Sequence, residues 1–133
     1  MSKITAEYKG DMLSEVKIGK HNLKIDVPEG WGGKNRGFMP PQLLVASMAS
    51  CTVAFVAHYC ENANLDTSGM TVEVDFEKVK NPTRLSNFKI TVNLPNIIAE
   101  NRIKAIEKAA KQCVVEQTLK HFEGTELEVN LGN

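Results

Sequence analysis

The chain has 133 residues, a length that predicts one domain spanning residues 1–133. Apolar residues make up 42% of the chain and charged residues 24%, and this composition excludes wholesale disorder. Sixteen Lys and Arg residues balance sixteen Asp and Glu residues, so no global positive field favours nucleic acid or an anionic membrane. We therefore expect one globular domain with no nucleic-acid partner.

The cysteines and the N-terminus indicate the compartment. The chain has an odd number of cysteines, Cys51, Cys60 and Cys113, and no CxxC pair, which excludes a disulfide scaffold. The first residues contain no apolar stretch of the kind found in a secretory signal. Residues 37–60 contain no Asp, Glu, Lys or Arg, but their apolar centre, 43–57, is shorter than the roughly twenty residues of a membrane span. We expect a soluble, cytoplasmic protein with no membrane partner.

The first third of the chain alternates apolar and polar residues with the period of two that is typical of half-buried strands. Strands are predicted over residues 3–9, 12–18 and 21–27. Tight turns are predicted at Gly10-Asp11 and Gly19-Lys20. These elements predict an antiparallel three-stranded meander.

A loop and a long helix follow the meander. Residues 28–39 contain Pro28, four glycines and the only tryptophan, Trp31, and are predicted to form a loop. Pro40-Pro41 is typical of a helix start, and the helix is predicted from Pro41 to Asn62.

The second half alternates strands and helices. Strands are predicted over residues 70–79 and 86–94, with a turn at 81–83 between them. Helices are predicted over 99–111 and 114–122, and a final strand over 125–131. The order of elements predicts an α+β fold with antiparallel sheets.

The central helix is the most informative element. Its residues 43–57 are apolar or small at every angle, whereas most helices of a small domain have one polar face. One chain of this size offers little to cover such a helix, so we expect a homodimer in which two copies of it share a core. The alternative is a helix that is buried entirely within its own chain.

Cys51 lies in the middle of this helix among the small residues Ala49, Ser50 and Thr52. Cys60 follows nine residues later, on the opposite face and about 13 Å along the axis, which is too far for a disulfide within one straight helix. Cys113, on a different helix, is the remaining candidate partner within the chain. The alternative is that each cysteine is a small buried hydrophobic residue.

Metal and nucleotide sites are not predicted. His58 lies two turns after Cys51 on nearly the same face of the helix, where it could act as a base near a substrate or simply be packed. It points about 160° away from Cys60, so the two side chains could not bind one metal ion together. A metal would need several ligands in one place, and no phosphate-binding glycine motif is present. We expect no metal and no cofactor.

Two segments resemble the OsmC/Ohr family of osmotically inducible and organic hydroperoxide resistance proteins. Residues 40–52, PPQLLVASMASCT, are similar to the family's helix with its reactive cysteine, and residues 109–113, AAKQC, are similar to its second cysteine-bearing helix. The resemblance extends over the whole chain in element order. It implies an intertwined α+β homodimer with antiparallel sheets around buried central helices.

The resemblance also implies a reaction. Cys51 would be the peroxidatic thiolate that attacks an organic hydroperoxide and becomes a sulfenic acid. Cys113 would be the resolving thiol, and an external dithiol would reduce the resulting disulfide. The family uses an Arg–Glu pair to activate the cysteine, but this chain has Pro41 at the position of the Glu, followed by Gln42. Arg36, in the preceding loop, is the expected substitute, because a mid-helix cysteine has no first-turn N–H groups of its own.

Two functions therefore remain open. The first is a thiol peroxidase with Cys51, Cys113, Arg36 and Gln42 as its site residues. The second is a non-catalytic dimer that binds or senses a small apolar ligand, with Trp31, Phe38 and Met39 as candidate pocket residues. Retention of both Cys51 and Cys113 favours the enzyme, whereas the missing Glu favours the binding protein.

Overall fold

The computed structural model describes residues 2–132 and contains antiparallel strands and three helices, which confirms the α+β fold class. The strands are β1 (Thr5–Gly10), β2 (Leu13–Ile18), β3 (His21–Ile25), β4 (Thr71–Val79) and β5 (Arg84–Asn93). The α-helices are α1 (Pro40–Asn62), α2 (Ile103–Lys111) and α3 (Val114–Lys120), and short 3-10 turns lie at Glu29–Trp31 and Glu100–Arg102.

The N-terminal strands form the predicted meander. They pair antiparallel in the order β1-β2-β3, with Val16 opposite Ala6 on one side and Leu23 on the other. The first turn is centred on Asp11 and Met12, both in the left-handed region with φ of 52° and 67°, one residue later than predicted. Two successive positive φ values match the right-handed twist of a hairpin.

Helix α1 begins and ends where the sequence predicts, within one residue. Proline is tolerated in a first turn because its missing N–H would have no partner there. At the other end Asn64 has a φ of 57°, the N–H of Leu65 donates to the Cys60 carbonyl at 2.8 Å, and the N–H of Asn64 donates to Glu61 at 3.1 Å. This pair of bonds is a Schellman motif, which satisfies the last carbonyls of the helix.

Helix α1 is not buried on all sides within one chain. Its buried residues follow helical spacing along a single stripe, Val45, Met48, Thr52, Val56 and Cys60. Elsewhere on the helix Leu44 is 40% exposed and Val53 36% exposed. By length and composition α1 could cross a membrane, but the core helix of a soluble protein passes the same test.

The chain divides into two compact units. The first comprises residues 2–49 and 73–91, which hold the meander, the start of α1 and most of the hairpin made by β4 and β5. The second comprises residues 50–72 and 92–132. Its core contains Val56, Cys60 and Ile106, against which seven partly buried residues pack: Tyr59, Leu65, Met70, Val92, Leu94, Ile97 and Ala110.

The prediction of a C-terminal strand over residues 125–131 is wrong. Residues 122–132 have no regular secondary structure, and Leu127, Val129 and Leu131 are 73–90% exposed. A strand needs a neighbouring strand for its hydrogen bonds, and this segment pairs with none among residues 2–132.

Candidate active site

The second unit brings Cys51 and Cys113 together. Cys51 lies on α1 and is partly exposed, whereas Cys113 immediately precedes α3 and is 0% exposed. Neither is in a disulfide. The two thiols are hydrogen-bonding partners, and this contact changes the pKa of each.

The two thiols are shifted in opposite directions. Burial by itself raises the pKa of Cys51, but the Cys113 thiol and the backbone N–H groups of Val115 and Val114 together lower that pKa below its ordinary value. Burial, with the hydrogen bond to the Cys51 sulfur, raises the pKa of Cys113. Donors stabilise the anion to which they point, so the thiolate forms first on Cys51 while Cys113 keeps its proton.

The source of these donors corrects one expectation. For a cysteine in the middle of a helix, the sequence predicts activation by a cation. The N–H groups of Val114 and Val115 belong to the first turn of α3, where backbone N–H groups have no partner within their own helix. The sequence does contain a signal for this, since α3 starts directly after Cys113, but a contact between two helices cannot be inferred from spacing along one of them.

Arg36 lies in the first unit, where a buried carboxylate holds it. Asp26 is 1% exposed, and its Oδ2 accepts a hydrogen bond from Arg36 Nε at 2.7 Å. The same carboxylate accepts bonds from the backbone N–H groups of Val27 (2.8 Å), Lys34 (3.2 Å) and Arg36 (3.1 Å). The Arg36 guanidinium and these N–H groups hold the pKa of Asp26 well below its usual range. Burial alone would raise this pKa.

Asp26 is the residue that the sequence does not reveal. It was placed inside a predicted strand over 21–27, whereas β3 ends at Ile25 and Asp26 starts the loop. Arg36 Nη2 also donates to the Asp11 carbonyl at 3.0 Å, which ties the loop to the first hairpin turn. The guanidinium is thus fixed from two directions.

Gln42 and Arg36 lie on one open cleft of about 370 Å³, together with Asn35, Gly37 and Phe38. Gln42 has a structural role at the start of α1, because its Oε1 accepts the N–H of Met39 at 3.0 Å. This bond is one half of a capping box. The four predicted site residues therefore form two pairs, Cys51 with Cys113 in the second unit and Arg36 with Gln42 in the first.

The other candidates have simpler environments. Cys60 is fully buried in the core of the second unit, and burial raises its pKa, which confirms that it packs as a small hydrophobic residue. His58 is exposed and its Nε2 contacts the Asn62 amide at 3.2 Å. Trp31 and Phe38 are 72% and 54% exposed. Within residues 2–132, no three His, Cys, Asp or Glu side chains converge as metal ligands do.

The family model for OsmC-like proteins matches residues 33–128 of this sequence. The chain belongs to the OsmC-like family. No protein with a curated function matches the sequence.

Solved structures share the fold of this OsmC-like chain. A Psychrobacter arcticus protein described as an osmotic stress induced and detoxification response protein is 24% identical, with a TM-score of 0.78, over 89% of this chain and 88% of its own. An OsmC-like protein from Mycoplasma pneumoniae is 22% identical, with a TM-score of 0.70, over 90% and 87%. An organic hydroperoxide resistance protein from Elizabethkingia anophelis is 23% identical, with a TM-score of 0.63, over 92% and 91%.

The loop around Asp26 generates a stability prediction. A Cβ added to Gly33 would overlap the Val27 carbonyl and lie 2.6 Å from Asp26 Oδ1. We expect Gly33→Ala to lower the free energy of unfolding by about 1–3 kcal/mol, as overpacking does. Gly30→Ala, in the same loop with nothing within 4 Å of its added Cβ, is the matched control and should change stability by less than about 0.5 kcal/mol. Equal urea midpoints for the two variants would contradict this account of the loop.

Proposed function

We propose that this OsmC-like protein is a thiol-dependent peroxidase that reduces organic hydroperoxides, with Cys51 as the peroxidatic residue and Cys113 as the resolving one. The observation that carries the proposal is the contact between two free thiols, Cys51 and Cys113, and the directions of their pKa shifts agree with it. A nucleophilic cysteine must be a thiolate, and a resolving cysteine must reach it. The hydroperoxide resistance proteins among its structural neighbours support the same class of substrate.

The proposed reaction begins with attack of the Cys51 thiolate on the terminal peroxide oxygen. The O–O bond breaks, the alkoxide leaves and takes a proton to become the alcohol, and Cys51 becomes a sulfenic acid. The Cys113 thiol then attacks the sulfenic sulfur, water leaves, and a Cys51–Cys113 disulfide forms. An external dithiol reduces that disulfide, with the cytoplasm as the proposed compartment because it keeps thiols reduced.

We also propose that Arg36 contributes to the stabilisation of the Cys51 thiolate and that Gln42 assists by donating from its amide to the substrate. Asp26 supports this role because it fixes the guanidinium in one orientation. The N–H groups of Val114 and Val115 share the same task. Arg36 would therefore add to a thiolate stabilisation that α3 already provides.

A homodimer is the proposed assembly. Leu44 and Val53 on α1 are exposed within one chain, as are Leu127, Val129 and Leu131 near the C-terminus. Apolar surface on two elements of one chain is typical of a face that meets another subunit. A second copy would cover Leu44 and Val53 and offer a strand edge to the C-terminal segment.

The peroxidase proposal is tested with the purified protein and cumene hydroperoxide. We expect the peroxide to consume dithiothreitol in the presence of wild-type protein, and one equivalent of peroxide without reductant to produce a Cys51–Cys113 disulfide in peptide maps. Cys51→Ser should abolish turnover because it removes the nucleophile. Cys60→Ala is the matched control and should keep both. Loss of dithiothreitol at the buffer rate, or a disulfide that contains Cys60, would contradict the proposal, and the former would favour the ligand-binding alternative.

The proposed role of Arg36 in stabilising the Cys51 thiolate is tested by the rate of alkylation of Cys51 at neutral pH. Arg36→Met removes a charge, and we expect alkylation and peroxidase turnover to fall together by about tenfold, since one pKa unit corresponds to about 1.4 kcal/mol. The single variant leaves the buried Asp26 carboxylate without its ion pair, which destabilises the loop. The double variant Asp26→Asn with Arg36→Met removes both charges and should show the same loss while its unfolding curve is closer to wild type.

Arg84→Met is the control for the loss of an arginine, because Arg84 lies in an exposed turn and donates to the carbonyls of Lys80 and Pro82. It should leave both rates unchanged. Unchanged rates in the Arg36 variants as well would mean that α3 and Cys113 suffice to hold the thiolate.

The dimer is tested by analytical ultracentrifugation. We expect a mass of two chains, about 29 kDa from 14.7 kDa per chain, at micromolar concentration. Replacement of an exposed apolar residue of α1 by a charge, as in Val53→Asp, should dissociate or destabilise the dimer. A stable folded monomer of the wild-type chain would contradict the assembly.

A further inference from the structure

The two sulfurs of the proposed disulfide differ in access. Cys113 is 0% exposed and Cys51 is partly exposed. Other residues of the same chain bury Cys113, so a second subunit can only add cover to it. Its backbone is also tied on both sides, with its N–H donating to Ala110 at 3.2 Å and its carbonyl accepting from Gln117 at 3.0 Å. Exposure of the Cys113 sulfur therefore requires the residues that cover it to move.

We propose that the reducing dithiol attacks the sulfur of Cys51, and that Cys113 is the leaving thiol. The inference rests on the proposed function, in which these two residues form the disulfide. Thiol–disulfide exchange needs the incoming thiolate to reach the back of the sulfur that it attacks. Cys113 must be uncovered before its sulfur can be approached, whereas Cys51 is already partly exposed in the folded chain.

The exchange balances in two steps. The first thiolate of the dithiol forms a bond with Cys51 Sγ, the Cys51–Cys113 bond breaks, and Cys113 leaves as a thiolate that takes a proton. The second thiol of the dithiol loses its proton and attacks the first sulfur of its own molecule, which releases Cys51 as a thiolate. The dithiol leaves as its cyclic disulfide, oxidised by two electrons, and the protein gains them as two reduced cysteines.

The pKa values of the two possible leaving thiols favour attack on the other sulfur, that of Cys113. A thiol with a lower pKa leaves faster, and the pKa of Cys51 is lowered whereas that of Cys113 is raised. Electronic preference would therefore direct the attack to Cys113 and release Cys51. Access decides the outcome here, because a sulfur that is closed by its own chain cannot be reached at all in the folded state. The two effects give opposite products, which makes the inference testable.

The test uses the full-length protein, oxidised with diamide so that the disulfide forms without any peroxide. The oxidised protein is treated briefly with cysteamine, quenched with acid, and labelled with N-ethylmaleimide. A tryptic peptide of residues 112–120 carries Cys113 alone, and chymotryptic cleavage after Phe55 separates Cys51 from Cys60. Mass spectrometry then shows which cysteine carries cysteamine and which carries the maleimide.

We expect cysteamine on Cys51 and maleimide on Cys113, in about tenfold excess or more over the reverse pattern, because access controls the exchange. The same oxidised protein in concentrated urea is the control, and there the excess should disappear. Cysteamine mainly on Cys113, equal labelling of the two, an excess that persists in urea, or no Cys51–Cys113 disulfide with diamide would each overturn the inference. A disulfide that forms with diamide but not with hydroperoxide would contradict only the peroxidase proposal.

Discussion

A cysteine thiolate on an apolar helix loses much of its hydration, and hydrogen-bond donors must replace that water for the charge to persist. The backbone N–H groups around Cys51 in helix α1 are not available for this, because N–H groups in the middle of a helix already bond within it. The donors come instead from Val114 and Val115 at the start of α3 and from the Cys113 thiol. The break between α2 and α3 at Gln112 and Cys113 therefore places the donors and the second thiol at one point.

The loop before α1 depends on a second buried charge. Asp26 accepts three backbone N–H groups and the Arg36 side chain, and this requires Gly33 to have no side chain. The family resemblance implies an arginine paired with a glutamate, for which this chain has Pro41 at the matching position. In this chain the guanidinium of Arg36 is paired with the carboxylate of Asp26, the residue that follows β3. The absence of the glutamate therefore does not leave Arg36 unpaired.

Local patterns predict much of this fold. Alternation over the first 27 residues is enough for the meander, and the prolines at 40–41 with the asparagines at 62–64 are enough for the bounds of α1, because strand faces, first turns and helix ends are set by neighbours in sequence. The prediction of a strand over 125–131 is wrong because alternation in the sequence does not show whether a neighbouring strand is present to pair with it. The roles of Asp26 and of the N–H groups of Val114 and Val115 could not be predicted from the sequence for the same reason, since each depends on a contact between separate elements.

The third cysteine, Cys60, lies in surroundings that differ from those of Cys51 and Cys113. Cys60 shares α1 with Cys51 but lies about 13 Å along its axis, beyond disulfide reach. It packs with Val56 and Ile106, and the Schellman motif that ends the helix uses its carbonyl. Burial raises its pKa with no donor to oppose the shift, so it stays a thiol under conditions in which Cys51 ionises. The same helix thus carries one cysteine whose surroundings favour the thiolate and one whose surroundings suppress it, and the difference is the start of α3 beside Cys51.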